Sequence, residues 1–207
     1  MKKLLALCAL ALTVGYVQAQ TNAGGMMFGG NIGYQSQKSN WGVDREIESK
    51  TLTINPQFGY FVADNLGIGL SVNYTHQKNS DNIPYNVDDE ATSSETILAP
   101  FVRYYVFTPN EKFAFYAEAS VGIGFSRTDP YYSDEDIKGK SFNTRLSPGF
   151  NYFFNEKWAL DLQLSGIAYS SNDPNTDDDA ENDKSSSFKF GASSLNPSLG
   201  FRYFIGK

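Results

Sequence analysis

A short segment of alternating apolar residues occurs four times in this chain, and each copy begins with a proline. The copies occupy residues 56–61, 100–105, 148–153 and 197–204, and their prolines are 44, 48 and 49 residues apart. A second alternating run lies before each copy, so each repeat holds two predicted strands and the chain holds eight. A propeller blade would need four strands per repeat, and the long polar stretches between the copies leave room for only two.

The predicted strands have one apolar face and one polar face. We expect strands at 24–36, 50–62, 66–77, 96–107, 113–126, 143–154, 158–169 and 188–205. The polar face consists mainly of Gly, Ser, Asn, Gln and Thr, and no charged residue falls in phase with the apolar face. Aromatic residues make up 15% of the chain and charged residues only 19%, which is typical of neither a helical bundle nor a disordered chain.

Two architectures could carry this pattern. In a soluble sandwich or lipocalin-like barrel the apolar face points inward, whereas in a membrane barrel it meets lipid and the polar face lines the interior. The polar face is rich in glycine and serine, which suit a narrow barrel interior better than a water-facing surface. The connections alternate between short turns and long polar segments, which is typical of membrane barrels. The sequence therefore predicts an all-β, eight-stranded antiparallel transmembrane up-and-down β-barrel.

Aromatic residues cluster beside the three short turns at 63–65, 109–112 and 155–157. Aromatic side chains at one level of a barrel wall are typical of a membrane–water interface. The predicted interface aromatics are Tyr60, Tyr104, Phe107, Phe113, Tyr152, Phe154, Trp158 and Tyr203. The four long polar connections are predicted at 37–49, 78–95, 127–142 and 170–187.

Five charged residues fall on the polar face, each on a different strand: Arg103, Glu118, Arg145, Asp161 and Arg202. The register across the second short turn places Arg103 directly opposite Glu118. One interpretation is an interior ion-pair network, because an unpaired buried charge is costly and an eight-stranded barrel is just wide enough for side chains to fill. The alternative is a gated or selective conduit. We favour the network.

The prolines of the repeat each remove a backbone donor from a sheet that has no edges. Pro56, Pro100, Pro148 and Pro197 recur six to eight residues before the ends of their predicted strands. We therefore predict that they share a bulge or bend.

The N-terminus has the pattern of a secretory signal peptide. Lys2 and Lys3 precede an apolar stretch at 4–14, and Val17-Gln18-Ala19 supplies a cleavage site. We predict a signal peptide at 1–19 and a barrel domain at 20–207. The only cysteine, Cys8, is then removed, and the only histidine is His76, which excludes a His/Cys zinc site, a cysteine nucleophile and a disulfide framework. The net charge of −6 argues against a nucleic-acid partner.

On this architecture, the chain resembles the eight-stranded outer-membrane barrels of Gram-negative bacteria, the OmpA- and OmpX-like, porin-family proteins. The resemblance implies periplasmic termini, extracellular loops, contact with outer-membrane lipid and lipopolysaccharide, and insertion by machinery that reads a C-terminal aromatic residue. It implies a structural or surface-interaction role, through four long loops and an unknown extracellular ligand, with no enzymatic activity, cofactor or metal. The alternative is a small passive pore or ion conduit.

Two further features have a functional and a plain interpretation. Lipid A deacylases resemble this barrel and carry a lipid-side histidine, but His76 lacks their His-x-Ser motif, so we interpret it as a lone interface residue. The last connection holds six acidic residues between Asp173 and Asp183. These could bind calcium or bridge to lipopolysaccharide, but they lack the spacing of a calcium loop, so we interpret them as a solvated acidic loop.

Overall fold

The computed structural model describes residues 21–41, 45–82, 89–130, 136–176, 184–191 and 197–206. The predicted signal peptide at 1–19 and most of the acidic stretch at 173–183 lie outside these residues. The ten strands are β1 (Met26–Trp41), β2 (Arg45–Ala63), β3 (Leu66–Asn82), β4 (Asp89–Phe107), β5 (Phe113–Asp129), β6 (Ile137–Phe153), β7 (Trp158–Leu164), β8 (Ile167–Asp173), β9 (Ser185–Lys189) and β10 (Pro197–Ile205). Within the described ranges, no helix has the length and apolar character needed to cross a membrane.

The strands close into an antiparallel barrel. Each strand from β1 to β6 pairs with the next, and β6 pairs with both β7 and β8. β7 then pairs with β10 and β8 with β9, while β10 returns to β1. β7 and β8 are therefore two halves of the seventh barrel strand, and β9 and β10 are two halves of the eighth. This pairing confirms the predicted closed eight-stranded antiparallel barrel.

Three short turns lie at one end of the barrel, which we call the turn end, and the long hairpins lie at the other, the hairpin end. The strands extend much further towards the hairpin end than the sequence predicted. β1 and β2 pair as far as Trp41 and Arg45, and β3 and β4 pair as far as Asp81 and Asp89. The predicted long loops at 37–49, 78–95 and 127–142 were therefore wrong over most of their length. Both faces of these segments meet water, so polar strands without apolar alternation can form there.

Between the short turns and the polar hairpins, the apolar face of every barrel strand points outward, as predicted. Many large apolar side chains on this face are 36% exposed or more, among them Phe28, Phe58, Val102 and Leu146. The opposite face points inward and contains the buried residues. The half of the interior next to the turns, the turn half, is densely filled, whereas the half next to the hairpins, the hairpin half, encloses a cavity.

The prolines of the repeat share an interruption of the ladder rather than a shared bulge. Pro56, Pro100 and Pro148 each pair with the preceding strand, and the ladder to the following strand is broken beside them. Of these three prolines, only Pro148 lies beside a register shift, where the seventh strand carries one extra residue at Gly166. Gly166 has a φ of +64°, which favours glycine. A bulge is therefore excluded at Pro56 and Pro100, because the ladder resumes there in the same register, and the alternative of a shared bend stays a prediction.

Candidate functional site in the barrel interior

Four buried charges occupy the middle of the barrel. The Arg103 Nε donates to Glu118 Oε2 at 2.8 Å, as the predicted register requires. Arg202 forms a second pair with Asp161, with an Nη2–Oδ2 distance of 2.8 Å. Arg103, Asp161 and Arg202 are 0% exposed and Glu118 is 5% exposed. The two cations and two anions balance, which is what burial of charge in a barrel interior requires.

Amide side chains connect the two ion pairs. Gln57 Oε1 accepts hydrogen bonds from the Nη2 atoms of both Arg103 and Arg202, each at 2.9 Å. Gln163 Nε2 donates to the second oxygen of Glu118 at 2.8 Å, and Asn151 Nδ2 donates to Asp161 at 3.1 Å. Sequence reasoning missed Gln57, since neutral amides are common on the polar face and nothing in the sequence distinguishes this one.

Inward-facing aromatic rings pack around the arginines in spaces that glycines leave open. The Arg103 guanidinium lies 4.2 Å from the ring centroid of Tyr116, within the range of a cation–π contact. Tyr116 is paired with Gly149, where an added Cβ would lie 2.3 Å from the Tyr116 ring. Phe101 similarly covers Gly69. The glycines of the polar face therefore make room for large side chains from neighbouring strands.

A layer of aromatic residues, the aromatic seal, closes the barrel between the charges and the turns. It consists of Phe61, Tyr105, Phe153 and Phe204, with Met27 beside them, all 1% exposed or less. Each aromatic residue is the last one in its copy of the repeat. Each backbone N–H also donates to a carbonyl in or near an adjacent turn, as in the 2.9 Å bond from Tyr105 to Asn65. The last residue of each of the four copies of the repeat thus supplies one aromatic ring of the seal.

Sequence reasoning missed the aromatic seal, although its residues lie out of phase with the apolar outward series. Phe107, predicted at the membrane interface, instead packs inside against the seal, 5.7 Å from the Phe153 ring. The other predicted interface aromatics lie near the turn end, outside the seal. Examples are Trp158 and Tyr203, whose ring centroids are 4.9 Å apart.

Arg145 does not join the network that the sequence predicted for it. Its side chain is exposed, and it makes no ion pair with another described residue. Arg145 instead lines a cavity of about 560 Å³ in the hairpin half of the interior. Asn55, Asn73 and Gln163 also line this cavity, and Glu118 lies at its floor.

The other two predicted features, His76 and the acidic loop, form no catalytic or metal site among the described residues. His76 is half-buried on the outward face, between Leu52 and Ser94 on the adjacent strands. Within the described ranges, no group of three or more His, Cys, Asp or Glu side chains could hold a metal ion. The acidic residues at 177–183 lie outside these ranges, so the cation hypothesis for that loop stays a prediction.

Several known structures are similar to this chain at low sequence identity. The outer membrane protein OprG from Pseudomonas aeruginosa is 15% identical, with a TM-score of 0.45 over 92% of this chain and 100% of that one. Neisserial surface protein A is 15% identical, with a TM-score of 0.45 over 87% and 97% of the two chains. The N-terminal β-barrel domain of Pseudomonas aeruginosa OprF is 13% identical, with a TM-score of 0.41 over 88% and 98%.

No curated protein matches the chain. The model of the outer membrane protein beta-barrel domain family matches residues 4–194. This match covers the first seven predicted strands and the start of the eighth. The chain therefore belongs to the outer membrane protein beta-barrel family.

Proposed function

We propose that this protein is a non-conducting, non-enzymatic barrel of the bacterial outer membrane that presents its polar hairpins at the cell surface. The observation that carries this proposal is the filled turn half of the interior. The balanced charge network and the aromatic seal are stacked there, and both are almost completely buried. A conduit would need a water-filled path through both layers, and desolvated ions would have to displace paired buried charges.

The hairpin end is the extracellular end in this proposal, and the short turns face the periplasm. The hairpins carry paired charges such as Lys38 with Glu46 at 2.8 Å and Lys78 with Glu90 at 2.7 Å. Such segments belong in water and among polar lipopolysaccharide headgroups rather than in hydrocarbon. Their length and polarity make them the part of the molecule that an extracellular ligand would contact.

A small passive conduit is the second candidate. The 560 Å³ cavity favours it, because half of the interior is already polar and unfilled. A conduit would further require the aromatic seal to open. Lipid modification at His76 finds less support, because no hydrogen bond from its ring to another described residue orients it for catalysis.

Single-channel recording separates the first two candidates. The mature chain is refolded into a planar bilayer after heat-dependent gel mobility has shown that it is folded. Our proposal predicts a silent bilayer. Stable, reproducible openings would contradict it, and a change of ion selectivity in Glu118→Gln would then assign the conducting path to the charge network.

A further inference from the structure

The cavity in the hairpin half of the interior has a polar lining with one unbalanced charge. Of the described residues that line it, only Glu118 and Arg145 are charged. The Glu118 carboxylate is already paired, since its two oxygens accept hydrogen bonds from Arg103 and Gln163, each at 2.8 Å. Arg145 makes no ion pair with another described residue. The lining therefore carries one positive charge that no described side chain balances.

Arg145 enters the cavity from the middle of β6. Both of its cross-strand neighbours are small, Ser120 on β5 and Ala168 on β8, so the long side chain extends over short ones. Arg145 is exposed within the barrel, whereas Arg103 and Arg202 are completely buried. A planar guanidinium that is accessible in this way can hold a carboxylate through two parallel hydrogen bonds.

The rest of the lining supplies hydroxyl and amide groups. Examples are Asn73 and Thr75 on β3 and Asn143 on β6, whose side chains can each donate and accept hydrogen bonds. Among the described lining residues there is no aromatic ring, and Ile97 and Ala99 are the only inward-facing apolar side chains. An apolar ligand would leave the polar groups without partners, which is costly, whereas a hydroxylated ligand would satisfy them.

The cavity has the size and charge for one small monoanion. Its volume of about 560 Å³ lies within the usual range of small-molecule sites. On the β1 side, a Cβ added at Gly33 would meet nothing closer than a Thr53 carbon at 3.9 Å, so the wall leaves room there. A phosphate ester carries close to two negative charges and would exceed the single charge of Arg145. One carboxylate balances it.

We propose that the hairpin half of the barrel binds a hydroxylated carboxylate of about one sugar ring, that is, a sugar acid. Its carboxylate pairs with Arg145, and its hydroxyl groups bond to the amide and hydroxyl side chains of the lining, such as Asn73 and Thr75. The site lies on the hairpin side of the charge network. Binding therefore requires no opening of the aromatic seal and is compatible with a non-conducting barrel.

Three related probes test the class of ligand. Isothermal titration calorimetry measures the binding of glucuronate, methyl glucoside and cyclohexanecarboxylate to the refolded mature protein. Methyl glucoside keeps the hydroxylated ring without the charge, and cyclohexanecarboxylate keeps the ring and the charge without the hydroxyl groups. We expect saturable binding of glucuronate and an affinity about tenfold lower for each of the other two, since one charged hydrogen bond or a few neutral ones account for that factor. Equal affinities for the three probes, or no saturable binding of glucuronate by the folded protein, would overturn the proposal.

Substitution of Arg145 tests the assigned cation. Arg145→Gln should lower the affinity for glucuronate about tenfold, to that of methyl glucoside, and should leave methyl glucoside binding unchanged. Arg145→Lys keeps the charge and should retain part of the preference for glucuronate. Lys140→Gln is the matched control, because it removes a cation from the outward face of the same strand. An unchanged affinity for glucuronate in Arg145→Gln would contradict the assignment.

Filling the cavity tests the location of the site without changing any charge. Gly33→Leu places an apolar side chain in the space beside Thr53, and heat-dependent gel mobility verifies that the variant is folded. Ser36→Leu adds the same side chain to the outward face of the same strand and serves as the control. We expect glucuronate binding to be lost in the first variant and kept in the second. Unchanged binding in folded Gly33→Leu would place the ligand outside the cavity and overturn the proposal.

Discussion

The two halves of the barrel interior are built on the same eight strands but are filled in opposite ways. In the turn half, large inward side chains lie over glycines of the adjacent strands, as Tyr116 does over Gly149. In the hairpin half, inward positions carry medium-sized amides and hydroxyls, and a Cβ added at Gly33 would meet nothing closer than a Thr53 carbon at 3.9 Å. The first arrangement produces a packed plug, and the second leaves a cavity.

This difference shows that glycine on an inward face does not by itself make a barrel hollow. A glycine empties the interior only when no large side chain on a neighbouring strand uses the space. The outward pattern is the same in both halves, so the wall alone does not determine whether the barrel conducts. Whether the interior is filled depends on the inward-facing residues of the repeat.

Removing one charge from the plug should have the largest effect on stability. Arg103→Ala leaves the buried Glu118 without its cation and removes the stacking on Tyr116. We expect the free energy of unfolding to fall by about 3–5 kcal/mol, measured by urea unfolding in lipid vesicles. Arg127→Ala is the matched control, because Arg127 pairs with Asp136 on an exposed hairpin. A similar loss in both variants would mean that the plug contributes no more than the hairpins.

Adding one methyl group should distinguish the two halves more finely. Gly149→Ala drives a Cβ into the Tyr116 ring and should lower the free energy of unfolding by about 1–3 kcal/mol. Gly33→Ala places its Cβ in ordinary van der Waals contact with a Thr53 carbon at 3.9 Å, so it should have no cost, or a small gain from reduced freedom of the unfolded chain. The same unfolding assay checks both variants. Equal destabilisation would contradict the difference in packing.

The sequence was sufficient to predict the outward-facing residues of the barrel wall, but not how the inward-facing side chains fill the interior. Lipid contact requires strict alternation, so residues such as Phe58 and Val102 identify the outward face without knowledge of the fold. The short turn at 109–112 fixes a register, so Arg103 could be placed opposite Glu118 in advance. The filling depends on which residue lies beside each inward ring in the closed barrel, as Gly149 lies beside Tyr116 and Gly69 beside Phe101. Arg145 falls on the predicted inward face, but only the three-dimensional structure shows that the network is complete without it.

The polar hairpins extended beyond their predicted limits for a related reason. Outside the apolar band neither face must be apolar, so alternation disappears while ladder hydrogen bonds continue. The alternation of apolar and polar residues, which is the sequence signal for a strand, is therefore absent from these segments, although they form strands. Cross-strand pairs such as Lys78 with Glu90 were therefore interpreted as loop residues.

The smallest predicted effect is the pH dependence of the β1–β2 hairpin. A hydrogen bond from Lys50, followed by the nearby Lys38 charge, lowers the pKa of Glu48 below its ordinary 4.5. A hydrogen bond to Glu46 and its charge raise the pKa of Lys38 above its ordinary 10.5. Glu48 therefore stabilises the hairpin above about pH 4.5 and loses this effect in acid, whereas Lys38 does so below about pH 10.5 and loses it in alkali.

Amide hydrogen exchange of the hairpin across this range, corrected for the intrinsic pH dependence of exchange, measures the effect. We expect protection to decrease modestly at both extremes, since exposed pairs contribute little. Lys38→Gln should remove the alkaline decrease and keep most of the acidic one. An alkaline decrease that persists in this variant would show that other groups cause it.

The central claim is that the turn half of the interior is closed to water and the hairpin half is open to it. Two single-cysteine variants on one strand test this claim most directly. Ser120→Cys and Ala114→Cys both place a thiol on the inward face of β5, the first at the cavity and the second in the buried core. In a protein whose only other cysteine lies in the predicted signal peptide, a small water-soluble thiol reagent reports water access at each position. Our account predicts rapid labelling at position 120 and none at position 114 while the barrel stays folded. Rapid labelling at both positions would contradict it, because the turn half would then be open to water.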